Sequence, residues 1–283
     1  MGVCKIIAGQ FFHFLREVVL DMRIGLIGVG TIGTFLLKQL NQENVLGEHR
    51  VTAVFDARKE SQTKLEQFAD MYHFTYHHHF DDFLNDPIDL VVECANIAVV
   101  QAYARSIVKR KSLLIISVGA LVSTGLLEDL KTLSKKSKQK VYLPSGAIGG
   151  LDILQSARVL HTLDKVELTT RKPMSALTDE TKDKPMTLYS GPAKEAIHQF
   201  PKNANVAIIL SLAGIGIDKT NVHIIADPNV TTNTHHVEAT GDFGTLSLTL
   251  NNRPSPNNPK TSYLTSLSIL SALRSLDQNI HIC

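Results

Sequence analysis

From Met22 to about Ala147, short runs rich in Val, Ile and Leu alternate with longer stretches of helical spacing. The apolar runs fall at 23–27, 51–55, 90–93, 113–117 and 141–143, with helical segments such as 61–72 and 99–109 between them. Runs that are apolar on both faces and separated by helices predict a parallel sheet built from βαβ units. After Gly150 the pattern changes to strict alternation at 165–170, 222–226, 235–240 and 245–250, with helical spacing at 193–200 and 205–213. Alternation means strands with one wet face, so this is a second, α+β domain. The polar, charged segment 173–192 reads as a loop able to cover a site. In the tail, Tyr263, Leu264, Leu267, Leu270, Leu273 and Leu276 share a stripe, predicting a helix that Thr261 or Ser262 can cap.

The first apolar run leads straight into Gly28, Gly30 and Gly33, a GxGxxG sequence followed by the helix-like segment 34–40. In a dinucleotide-binding unit these glycines serve a tight turn, the approach of backbone to a pyrophosphate, and close packing of helix on sheet. The pyrophosphate then meets the free N–H groups of the helix start. A bare GxGxxG is a weak signal, but here the strand precedes it, the helix follows it, and Asp56 closes the second apolar run. That is the position from which a carboxylate bonds the ribose hydroxyls. Asp56 favours NAD, while Arg58, two residues on, leaves NADP tolerable.

Composition narrows the partners. A length of 283 residues with 43% hydrophobic content suits one large or two ordinary domains, and a net charge of +2 without a long basic run argues against nucleic acid. No stretch is apolar for long enough to span a bilayer. Cys4, Cys94 and Cys283 are odd in number and widely spaced, so neither disulfides nor a zinc site is suggested and a reducing cytoplasm fits best. Cys94, inside an apolar run, reads as an inert buried thiol. His73, His77, His78 and His79 invite a metal, but consecutive histidines on a strand point to alternate faces, so none is expected. Residues 1–21 read as an extension, an extra helix or disordered, that binding does not need. Arg16 and Glu17 interrupt its apolar character and no small-residue cleavage site follows.

A dinucleotide supplies hydride chemistry, so the second domain must hold the substrate and manage its protons. In 234–240 alternation places His235 with Val237 and Ala239 on the apolar face. An inward imidazole is either a satisfied core histidine or an acid/base in a cleft. Asn205 heads an apolar helix, where it is a helix cap or an amide able to pair with a carboxamide. Ala147, within 144–150, lies in a strand-end turn where a nicotinamide ring could meet backbone, or else simply opens a helix. Arg171, Lys172 and Lys260 are cations beside turns, each either solvated surface or a contact for a substrate carboxylate.

These segments together resemble the L-aspartate dehydrogenases that can feed NAD biosynthesis. The resemblance runs from Met22 to the C-terminus through GVGTIG at Gly28, VVECA at Val91, SVGAL at Ser117, LPSGAIGGLD at Leu143, RKP at Arg171, FPKNANVA at Phe200, 227–235, and NPKTS at Asn258. It implies an α/β fold: a Rossmann domain (22–147) completed by the C-terminal helix (258–283), an inserted α+β catalytic domain (148–257), and a homodimer. It further implies that His235 is catalytic and that Gly28, Gly30, Thr31, Ile32, Gly33, Asp56, Ala147 and Asn205 hold the cofactor. The implied reaction moves a hydride from Cα of L-aspartate to the nicotinamide. The resulting iminoaspartate hydrolyses to oxaloacetate and ammonia or passes on toward quinolinate. His235 would accept a proton or position the attacking water, as suits a base poised near neutral pH. Another amino-acid dehydrogenase, a dihydrodipicolinate-reductase-like enzyme and a noncatalytic dinucleotide sensor remain alternatives on the same plan.

Overall fold

A computed structural model describes residues 22–47, 49–58, 62–122, 125–180, 182–201, 204–256 and 258–280, with backbone alone at 258–260. The extension 1–21 lies outside the described residues. Strands β1 (Arg23–Ile27), β2 (Arg50–Phe55), β3 (Thr75–His77), β4 (Leu90–Glu93), β5 (Ser112–Ile115) and β6 (Val141–Tyr142) form one sheet in the order β3-β2-β1-β4-β5-β6. All of its pairings are parallel. The strand order reverses between β1 and β4, and ligands bind open α/β sheets at such switch points, outside the carboxyl ends of the strands.

Alternation along these strands feeds two cores. Ile24, Leu26, Val54, Leu90 and Val92 share a buried cluster with Leu36 and Leu37 of α1 (Thr31–Leu37) and Leu65 of α2 (Gln62–Tyr72). Ile27, Phe55, Val91 and Leu113 face the other way, toward α3 (Phe80–Asn85), α4 (Ile97–Val108) and α5 (Leu126–Ser137). Helix α1 begins at Thr31 rather than after Gly33, and runs on as a π-helical turn, Lys38–Gln42. Gly33 therefore sits inside the helix. A Cβ there would stand 2.1 Å from the Gly28 carbonyl oxygen, so only glycine lets the helix lie this close to the turn.

Helix α6 (Leu151–Val159) leads into the second sheet: β7 (Leu163–Pro173), β8 (Met186–Pro192), β9 (Asn221–Asp227), β10 (Asn233–Gly241) and β11 (Gly244–Asn252), ordered β11-β10-β7-β9-β8. Helices α7 (Ala193–Gln199) and α8 (Asn205–Ala213) connect β8 to β9. The expected loop 173–192 is thus corrected at its far end, where β8 pairs antiparallel with β9. This edge strand buries only Tyr189, and for that reason its sequence shows no apolar alternation. Val166, Leu168, Val237 and Ala239 line the inner face, in one cluster with Ile208 and Leu210 of α8 and with Ile27 and Val91 of the first sheet.

After the short pair β12 (Pro254–Ser255) and β13 (Asn258–Ser262), the chain ends in α9 (Tyr263–Ser275). Ile269 and Leu273 of α9 are fully buried among Leu26, Leu36 and Val54. Each such side chain contributes about 1.5–3 kcal/mol, which fastens the tail to the first sheet. Ser262 stands at the helix start, but its hydroxyl makes no capping bond.

Candidate active site

At the dinucleotide end, Gly28 turns out of β1 with φ +94°, which L side chains rarely adopt. Gly30 precedes α1 without a side-chain cap, and the first turn, which contains Thr31 and Ile32, carries no acidic residue. Nothing lies within 4 Å of a Cβ built on Gly30. A helix start without a side-chain cap or an acidic residue, with room beside Gly30, suits a phosphate pair, so the residues present fit a dinucleotide. Asp56, 9% exposed at the end of β2, accepts from the Val29 N–H (3.2 Å) and pairs with Arg58 through Nε–Oδ1 (2.9 Å) and Nη2–Oδ2 (2.6 Å). Burial pushes this carboxyl up, but the bonds from Arg58 and Val29 outweigh it and hold it below the usual range. Lys64 Nζ reaches the Val29 carbonyl at 2.8 Å.

Glu93, at the buried end of β4, ties two strand-end loops together. Its carboxylate accepts from the N–H groups of Ala95, Ile116 and Ser117 and from the Ser117 hydroxyl, all between 2.8 and 3.2 Å. Burial still leaves its pKa raised. The loop after Ser117 carries Gly119, and a Cβ built there would lie 3.7 Å from Asn205 Oδ1. Asn205 is therefore not a cap. Ala204, already in helical φ/ψ, holds the N-cap position, so the chain enters α8 one residue earlier and the amide faces the first domain's loop.

The second sheet approaches the same region. In the ladder His235 stands opposite Thr170 on β7 and Leu250 on β11. Two residues from Leu250, on the same face, Asn252 donates Nδ2–H to the Ala147 carbonyl at 3.0 Å. The Gly146 N–H next to it donates to Ser268 Oγ of α9 at 3.1 Å. The loop carrying Ala147 is thus held from both sides. His235 is 3% exposed, with Nδ1 3.0 Å from Thr170 Oγ1. Burial, and secondarily the charge of Lys172, lower its pKa to about 4. The expected base poised near neutral pH is corrected accordingly: the ring is neutral at pH 7 and a weak base.

Lys172 follows Thr170 by two residues, so it shares the His235 face, and burial lowers its pKa. Arg171 points to the opposite face and pairs with Asp227 at 2.5 Å. The side chain of Lys260 lies outside the described residues. Among the described residues, no group of three His, Cys, Asp or Glu side chains could hold a metal. His77 pairs instead with Asp86 at 2.6 Å, and burial pushes the Cys94 thiol well up. Sequence reasoning missed Glu93, Thr170 and Asn252. The last two each end an alternating apolar stripe with a polar residue, a signal that was present.

A family model described as "Aspartate dehydrogenase, C-terminal" matches residues 152–276, and one described as "Homoserine dehydrogenase, NAD binding domain" matches residues 28–144. The L-aspartate dehydrogenase of Nitrosopumilus maritimus is 40% identical over 265 residues, covering 89% of this chain and 95% of that one. The chain belongs to the L-aspartate dehydrogenase family. The L-aspartate dehydrogenase of Methanocella arvoryzae is 34% identical over 280 residues, covering 92% of this chain and 98% of its own. The crystal structure of aspartate dehydrogenase from Thermotoga maritima matches with a TM-score of 0.75 at 30% identity, covering 93% and 99%. Membership in the L-aspartate dehydrogenase family makes the protein an oxidoreductase with an NAD-binding first domain and a small-molecule substrate.

Proposed function

We propose that the protein oxidises L-aspartate at Cα with NAD, the cofactor held by 22–147 and 258–283 and the substrate by 148–257. The observation that carries this is one sheet face bearing His235 and Lys172, joined through Asn252 to the loop of Ala147. NAD, when bound, would supply the hydride acceptor. Gly28, Gly30, Thr31, Ile32 and Gly33 cradle its phosphates, and Asp56 meets a ribose. The small side chain of Ala147 leaves room for a flat ring, while the amide of Asn205 offers the donor and acceptor a carboxamide needs. Lys172 draws in a substrate carboxylate, and His235, its Nδ1 taken by Thr170, is the catalytic group acting through Nε2. The amine must be neutral for its lone pair to drive hydride loss. The imine then hydrolyses or continues toward NAD biosynthesis.

Reduced-cofactor absorbance across a panel of L- and D-amino acids tests the reading: L-aspartate should give the highest kcat/KM, and a better substrate would overturn it. Cofactor choice rests on Asp56, with NAD preferred and NADP tolerated because Arg58 pairs with the carboxylate. Removing charged ribose bonds in Asp56→Ala should shift the NAD/NADP ratio of kcat/KM toward NADP by about 10- to 100-fold. An unchanged ratio would refute that role. A homodimer is supported by the exposed apolar Val159, Leu160 and Phe243 near the β10–β11 turn, and a cytoplasmic location by the unpaired Cys94.

A further inference from the structure

The direction of the Thr170–His235 hydrogen bond follows from donors and acceptors. A neutral imidazole carries one N–H and accepts at its other nitrogen. Thr170 is 2% exposed, His235 is 3% exposed, and among the described residues the Thr170 hydroxyl has His235 Nδ1 as its one side-chain partner. Were the proton on Nδ1, it would donate to Oγ1 and leave the threonine O–H buried without an acceptor, at the full desolvation cost of an unmade bond. With Thr170 donating, both groups are satisfied and the imidazole proton sits on Nε2. That atom has no partner among the described residues, and it is not among the buried atoms sealed from solvent.

We propose that Thr170 is a positioning residue that fixes His235 as its Nε2–H tautomer, so that His235 meets the substrate as a neutral hydrogen-bond donor to a carboxylate oxygen. Lys172, on the same face, supplies the charge for that carboxylate; His235 supplies the direction. A donor of fixed orientation holds the Cα–H bond in line for transfer, and a misplacement on the order of 1 Å costs about 100-fold in rate. The inference rests on His235 being the catalytic group, but its first test needs no substrate.

Nitrogen-15 NMR of the full chain, with His235 assigned against the His235→Gln spectrum, reads the tautomer directly. Wild type and Thr170→Ser should show the proton on Nε2, and Thr170→Val should move it toward Nδ1. Valine suits this buried site, so the fold survives. With aspartate, kcat of Thr170→Val should fall about 10- to 100-fold at unchanged affinity for NADH, while Thr170→Ser retains most of it. A wild-type proton on Nδ1, a tautomer indifferent to Thr170→Val, or a shifted tautomer with undiminished kcat would each overturn the proposal. Absence of aspartate turnover in a wild type whose proton is on Nε2 would instead overturn the substrate reading.

Discussion

His235→Ala is expected to lower kcat/KM for aspartate by about 100- to 1000-fold, the range seen when one preorganised donor is removed from a reacting centre. NADH affinity should be unchanged, because the ring belongs to the second sheet and the residues proposed to hold the phosphates and ribose belong to the first. Fluorescence titration of NADH separates the two effects, and retained turnover in a folded variant would remove His235 from the mechanism. The same ring shapes stability. Its pKa is about 4 when folded and 6.5 in the unfolded chain, with burial the main cause and Lys172 the second. At neutral pH both states hold it uncharged; as pH falls from 6.5 the unfolded chain takes up a proton that the folded chain refuses until near 4. Stability fully present above the unfolded pKa is therefore lost through that window, by up to about 3 kcal/mol. Denaturant midpoints measured across it should fall less steeply in His235→Gln.

The first sheet was legible because its chemistry is local. Short runs such as 90–93, spaced by helical segments, read as strands buried on both faces, and the glycines of 28–33 state their own backbone demands. The second sheet was legible wherever alternation separated a wet from a dry face, as in 235–240. It was not legible at β8, whose edge position buries only Tyr189. At the site, sequence singled out His235 but not its environment. Whether an inward histidine is acid, base or neutral donor depends on Thr170, 65 positions away and brought opposite it by ladder register. For Asn205 the sequence left a cap and an amide contact both open for a related reason, since Gly119, which it approaches, comes from a loop far along the chain. Arg171 and Lys172 were equivalent in sequence and become distinct once β7 is seen to be a strand, which turns neighbours to opposite faces.

Lys172→Met should raise the KM for aspartate by about 10- to 100-fold, the worth of a charge-assisted bond to a carboxylate, with a smaller change in kcat. The cation stands two residues beyond Thr170 on the face that bears His235, and its lowered pKa marks it as a charge drawn out of water. A cation in that place attracts a carboxylate, so binding is where its removal should register. Arg171→Met serves as the control. Its guanidinium is engaged by Asp227 on the opposite face, so that substitution should lower thermal stability and leave the KM for aspartate nearly unchanged. Equal KM increases in both variants would mean that the sheet face does not select the substrate cation. Lys172→Met carries one further consequence inside the site: with the lysine charge gone, the His235 pKa should rise from about 4, because that charge is the second cause holding it down. A rise in the imidazole titration together with weakened aspartate binding would place both groups in one electrostatic unit, the histidine kept neutral in part by the same charge that attracts the substrate.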